Sequence, residues 1–160
     1  MIANILCSFV GTIAFSVLFN VQKKYYLGCG LAGMLGWLVY CLMIQWMTPS
    51  MSSFFGTVAV VLCSRILAVY MKCPITVFLV SGIFPLVPGA GVYYTAYYIV
   101  ENNMVLAAEK GLSSLKIAFA IVLGITFVVS IPKRYFQMDY WKNRGKLKKL
   151  TAGMDKKKDA

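Results

Sequence analysis

Ser81-Gly82-Ile83-Phe84-Pro85-Leu86-Val87-Pro88-Gly89-Ala90-Gly91-Val92-Tyr93-Tyr94-Thr95 is the stretch on which the reading of this chain turns. Pro85 and Pro88 have no backbone N–H to donate, and Gly82, Gly89 and Gly91 carry the largest helix penalty after proline. A regular helix cannot run through such a sequence. The flanks, 75–80 and 92–100, are nevertheless as apolar as a bilayer interior. Irregular backbone at membrane depth survives only where protein covers it or where it lines a wet cavity. In secondary transporters that arrangement presents the ends of two half-helices to a substrate. A proline-kinked span that merely packs is the plainer reading. The density of breakers, Pro-x-x-Pro-Gly-x-Gly, favours a functional break.

Outward from this stretch, the composition is that of an integral membrane protein. Of 160 residues, 60% are hydrophobic and 13% charged, against about half and about a quarter in soluble domains. The mean hydropathy of +0.75 agrees. Most of the basic excess follows residue 131. A basic run after a span marks the cytoplasmic side and attracts anionic lipid, so the formal charge of +11 does not point to nucleic acid. Only Tyr140 and Trp141 interleave with those lysines, too few for a base-stacking surface. Cys7, Cys29, Cys41, Cys63 and Cys73 form no C-x-x-C pair, and the chain has no histidine. They read as small, reduced, buried residues, and no metal or cofactor is expected. No Ser-Lys, G-x-S-x-G or paired-aspartate set suggests an enzyme. Residues 1–21 lack a basic region ahead of their apolar run, so they read as a first span rather than a signal peptide.

About 20 apolar residues make a crossing, and such segments lie near 2–21, 27–47, 53–71, 75–100 and 112–131. The expected fold is an all-α integral membrane protein of about five transmembrane helices, the fourth broken at its Pro/Gly-rich midpoint. Residues 1–132 form one bundle and 133–160 a basic cytoplasmic tail. In the first segment Asn4, Ser8, Thr12, Ser16 and Asn20 recur every four residues and share a helix face. Hydroxyls at that spacing usually glue helices together; the wall of a polar pathway is the alternative. In the second, Gly28, Ala32 and Gly36 make a small-xxx-small face for close helix approach.

The third segment contains Arg65. A charge there costs about 3 kcal/mol, so Arg65 either snorkels toward the interface near Lys72 or meets a substrate or partner. Beyond the break, Tyr94, Tyr97, Tyr98 and Glu101 share a face. They line an exit path or form an interfacial aromatic belt; Tyr93 and Tyr94 sit deeper than a belt requires. Asn103 is placed to cap a helix that continues through Gly111 into the fifth segment, with 102–116 outside the membrane. Glu109 and Lys110 read first as solvated or headgroup-facing charges.

Five crossings with the amino terminus outside put Lys23, Lys24, Lys72 and the tail on the cytoplasmic side of the cell membrane. If 75–100 dipped in and returned, the basic tail would be exported, so the broken segment is expected to cross. Its half-helix ends would offer N–H groups to a carboxylate and free carbonyls to an ammonium. The candidate substrate-pathway residues are Pro85, Pro88, Gly89, Gly91, Tyr93, Tyr94, Thr95 and Arg65. Lys72, Glu101, Glu109 and Lys110 are candidates for charge pairing or coupling. A non-transporting scaffold, in which the broken span is a joint between subunits, is the second functional class. Small and polar stripes on two helices imply a homo-oligomer or a partner.

The run Lys72-Cys73-Pro74-Ile75-Thr76-Val77-Phe78, the breaker stretch quoted above, and Glu109-Lys110-Gly111-Leu112 ahead of an apolar span together resemble the threonine/serine exporter (ThrE) family. The resemblance covers roughly 62–130, and Pro-Leu-Val-Pro-Gly is its most specific part. It is with the small five-span, YjjB-like subunit type, which works with a larger membrane subunit. It implies export of threonine and serine, or of a dicarboxylate such as succinate, driven by the proton motive force. One departure stands out. Where the family pattern has an acid in the third span and a base one turn on, this chain has Arg65 and Val69.

Overall fold

The structure, a computed structural model, describes residues 2–131. The expected tail, 133–160, lies outside the described residues, as do Tyr140 and Trp141. The described chain is all helix: α1 (Ile2–Leu18), α2 (Tyr26–Met43), α3 (Pro49–Met71), α4 (Thr76–Ile83), α5 (Gly89–Val100) and α6 (Met104–Val129). A 3-10 turn, Lys23–Tyr25, leads into α2, and another, Phe84–Leu86, prolongs α4. This is an all-α membrane protein.

Helix length decides which elements can cross. Lys23–Met43, Pro49–Met71 and Met104–Val129 have 21, 23 and 26 residues, each enough for a hydrocarbon layer of about 30 Å at 1.5 Å per residue. The pair Thr76–Leu86 and Gly89–Val100, bent by 50°, is a fourth candidate. Three to four spans therefore qualify where the sequence suggested about five. The fifth expected span is α1, whose 17 residues reach about 25 Å, the short end of the range for a crossing. It stops at Leu18 because Asn20 turns left-handed, with φ 54°. Two more left-handed residues close the other helices: Lys72 caps α3 at φ 51°, and Asn102 lies beyond α5 at φ 55°. Pro49 begins α3 at a position where its missing N–H costs nothing. The capping expectation for Asn103 holds: its side chain accepts from the Leu106 N–H at 3.3 Å, and α6 then runs unbroken through Gly111.

Helix α2 is the centre of the bundle, packing on α1, α3 and α4. Its small-residue face, Gly28, Ala32 and Gly36, is buried as the pattern implied, together with Cys29 and Gly33. A Cβ on Gly28 would come within 2.6 Å of the Phe78 ring. One on Gly33 would collide with Thr12, and one on Gly36 with Val60. The polar stripe of α1 meets this face. Ser8 donates to the Gly33 carbonyl at 3.2 Å, while Thr12 and Ser16 donate to carbonyls one turn back at 2.7 and 2.8 Å. For these three the packing reading is the right one. Asn4 and Asn20, at the two ends, are exposed.

Neighbour pairs give the direction of each helix. Phe78 lies beside Gly28, Gly82 beside Ala32 and Leu86 beside Gly36, so α4 runs with α2. Gly124 lies beside Phe54 and Thr57, and Val129 lies near Arg65, so α6 runs with α3. Gly91 meets Ser114 and Thr95 meets Gly111, so α5 runs against α6 and continues the sense of α4. The 50° bend does not reverse the chain, and the pair counts as one candidate span. Leu86, at its break, lies level with Gly36 and Gly56, near the middle of the bundle.

The Gly33→Val variant should lose about 1–3 kcal/mol through overpacking against Thr12. Gly11→Ala, where an added Cβ meets nothing within 4 Å, should be neutral or better. Thermal unfolding in detergent reads both, and equal melting temperatures would refute the close-approach account of α2.

Candidate functional site

The site grows out of four peptide groups. Pro85 removes the donor that would have reached the Ser81 carbonyl, and Pro88 the one for Phe84. The Phe84 carbonyl takes the Val87 N–H instead, at 3.2 Å. The Gly89 N–H folds back onto the Val87 carbonyl at 2.8 Å, and the first regular bond of α5 runs from Val92 to Pro88 at 3.1 Å. Ala90 and Gly91 then present first-turn N–H groups that have no helical carbonyl to reach. These donors carry the positive end of the α5 dipole. Gly89 itself is exposed, and a Cβ built on it meets nothing within 4 Å.

Three clefts indent the described bundle, two of them lined in part by the break. One, of about 340 Å³, is lined by Pro85 together with Asn4, Cys7, Ser8, Phe15 and Trp37. The Trp37 indole stacks on Tyr40, and its buried N–H finds no acceptor among the described residues. A second cleft, of about 440 Å³, is lined by Asn20, Gln22, Tyr25, Cys73, Thr76 and Ser81, among others. Burial pushes the Cys73 thiol up, partly offset by a hydrogen bond with Tyr25 and the charge of Lys24. The third cleft, about 390 Å³ and almost wholly apolar, separates α5 from α6 and is lined by Pro88, Thr95, Gly111 and Ser114. Phe84 stands between the first two. Its ring stacks on Phe15 at 4.1 Å and tilts against Phe19 at 5.2 Å.

The residues picked out by sequence do not converge on one cavity. Pro85 faces the first cleft, while Pro88 and Thr95 face the third. The Thr95 hydroxyl is bonded to the Gly91 carbonyl at 2.7 Å, and Gly91 packs on Ser114. Tyr93 and Tyr94 lie on the outer side of α5, 64% and 48% exposed, ring to ring with Tyr97 and Tyr98. The Tyr97 hydroxyl donates to Glu101 at 2.7 Å. This ladder matches the shared face seen in the sequence. Lys72 and Glu109 are exposed away from the break, and Lys110 lends its carbonyl to the Ser114 hydroxyl at 2.8 Å.

Arg65 finds a partner within the bundle. It is buried, and its Nη2 donates to the Val129 carbonyl at 2.9 Å, at the end of α6. A guanidinium there meets the negative end of a helix dipole and its last carbonyls. Nine residues of α3 separate it from Gly56 at the level of the break, roughly 13 Å. What the sequence did not single out is the aromatic set Phe15, Phe19, Phe84 and Trp37. Phenylalanine and tryptophan in apolar spans look like lipid-facing filler until the backbone brings them together.

Fold and site define a class: a multi-span membrane protein with a discontinuous helix opened at mid-depth. Within that class the match is specific. The family described as Threonine/Serine exporter, ThrE, covers residues 4–131, and the chain belongs to that family. The match takes in all six helices and is wider than 62–130, the part that carried the resemblance. No curated protein and no solved structure matches the chain.

Replacing Arg65 should separate support from substrate contact. Arg65→Gln is expected to lower the melting temperature in detergent, with Arg65→Lys recovering part of it, while transport by folded protein keeps its KM. A raised KM at unchanged stability would return Arg65 to the substrate pathway.

Proposed function

We propose that the protein is a membrane subunit of a proton-coupled secondary exporter of threonine and serine, or alternatively of a small dicarboxylate such as succinate. The observation that carries this reading is the break at Pro85–Gly91, at the middle of a bundle whose residues 4–131 match the exporter family. The N–H groups of Ala90 and Gly91 suit a substrate carboxylate; the Ser81 carbonyl, stripped of its helical donor by Pro85, and the second lone pair of the Phe84 carbonyl, beside its bond from Val87, suit its ammonium. Pro85, Pro88, Gly89 and Gly91 hold the two ends apart. Tyr93, Tyr94 and Thr95 belong to the pathway beyond them.

Coupling needs a titratable group that this bundle hardly supplies. Among the described residues the acids are Glu101 and Glu109, both near the α5–α6 turn. A coupling carboxylate is therefore assigned to a partner, either the larger membrane subunit of such exporters or a second copy. Lys72, Glu101, Glu109 and Lys110 are candidates to pair with it. The protein is placed in the cell membrane with its amino terminus outside and its basic tail in the cytoplasm. One observation favours a second reading. Helix α5 buries no residue and packs chiefly on α6, as a joint between subunits would before assembly. In that case the chain is a scaffold and transport resides in the partner.

Export of labelled threonine, serine and succinate from cells tests the proposal, with this chain alone or with a larger partner subunit. Pro88→Ala and Gly89→Leu are expected to abolish export while leaving insertion intact. Near-normal export from both variants would sink the assignment to the break and leave the scaffold reading standing.

A further inference from the structure

We propose that the route across this subunit runs along the seam between α1 and α4, and that the Phe15–Phe84 stack is its gate. The inference rests on the exporter reading and says where in the fold the substrate passes. Two clefts lie on this one seam. The cleft of about 340 Å³ is bounded by Phe15 and Pro85, and the cleft of about 440 Å³ by Phe19 and Ser81. Both are of the size of small-molecule sites, roughly 300–1,000 Å³. Phe15 lies in the last turn of α1 and Phe19 just beyond its end, four residues on, while Ser81 and Pro85 are four residues apart on the chain leading to the break. Between these pairs sits the Phe84 ring, 4.1 Å from Phe15 and 5.2 Å from Phe19. The first cleft opens toward the Asn4 end of α1 and the second toward the Asn20 end, which are opposite ends of the bundle.

Three further features suit a gate. First, α1 grips α2 through Ser8, Thr12 and Gly33, yet its packing on α4 is sparse, so the aromatic contacts are most of what closes the seam. Second, Phe84 precedes Pro85, where the helical ladder has already been cut, so its ring can swing without breaking further backbone bonds. Third, each cleft holds a polar group that a small hydroxylated zwitterion could satisfy. These are the indole N–H of Trp37, without an acceptor among the described residues, on one side and the polar side chains of Asn20, Gln22 and Thr76 on the other. Closed phenyl rings offer a zwitterion no hydrogen bond. Parted, they present π faces to its ammonium.

The chain carries its own reporters, because Cys7 lines the first cleft and Cys73 the second. In a background with Cys29, Cys41 and Cys63 replaced by alanine, either Cys7 or Cys73 is kept. A membrane-impermeant thiol reagent is then applied to one face of the membrane at a time, at mildly alkaline pH. Cys7 should react from one face only and Cys73 only from the other. With Phe84→Ala each should gain measurable reaction from the face previously closed to it, Phe15→Ala should do the same, and Phe84→Tyr should stay closed. Two cysteines that react from neither face would mean dry, lipid-filled clefts and would overturn the proposal. So would sidedness unchanged by both alanine variants. Threonine should slow labelling of both cysteines in the unmutated gate. Loss of sidedness on opening with no such protection would keep the gate and remove threonine as its cargo. Threonine flux with neither sidedness nor protection would keep the exporter and remove this route.

Discussion

Three helices can lie against α2 because, where they touch it, it has almost no side chain. Gly28 admits the Phe78 ring, Gly33 admits Thr12, and Gly36 lies opposite Val60 and Gly56. In a bilayer no hydrophobic drive pulls helices together, so close van der Waals approach and interhelical hydrogen bonds must do it. The rest of the arrangement depends on that contact. It fixes α4 alongside α2, which sets Leu86 level with Gly36 and so puts the Pro85–Gly91 break at the middle of the bundle. It also holds the hydroxyl stripe of α1 inward, leaving another edge of α1 to meet the end of α4 and the turn after it, where Phe15 stacks on Phe84.

The break itself follows from elementary chemistry. Two prolines remove two donors, and the freed ends turn locally rather than continuing the helix. Because the bend is 50° and not a reversal, α5 keeps the sense of α4, and α6 runs against it. Arg65 then closes α6 from below, its guanidinium set against the last carbonyls of that helix. A buried arginine so placed holds the return helix in register with α3. That role accounts for its burial without invoking a substrate.

Much of this was legible in the residues. The membrane class, the broken helix, the small face of α2, the Asn103 cap and the exporter family could all be reached from spacing or motif, since each rests on local chemistry or a specific run. The length of the first helix could not. Asn20 adopts a left-handed conformation that ends α1 early, and hydropathy alone does not register that. Arg65 was equally opaque, because its partner is a carbonyl 64 residues away. The sequence pointed to Tyr93, Tyr94 and Thr95 around the break. The fold turns the tyrosines outward, sets Thr95 beside the α5–α6 cleft with its hydroxyl bonded to its own helix, and adds Phe15 and Trp37 at another cleft, with Phe84 stacked on Phe15. Side chains distant in sequence acquire meaning only when helix register is known.

The central claim is that the half-helix ends at the break hold the transported molecule. Amide chemical shifts of isotope-labelled protein in detergent or nanodiscs test it most directly, followed while threonine is titrated. The account predicts saturable shifts at the Ala90 and Gly91 N–H groups, lost in Pro88→Ala. Shifts confined to other residues, in protein that still transports threonine, would contradict it.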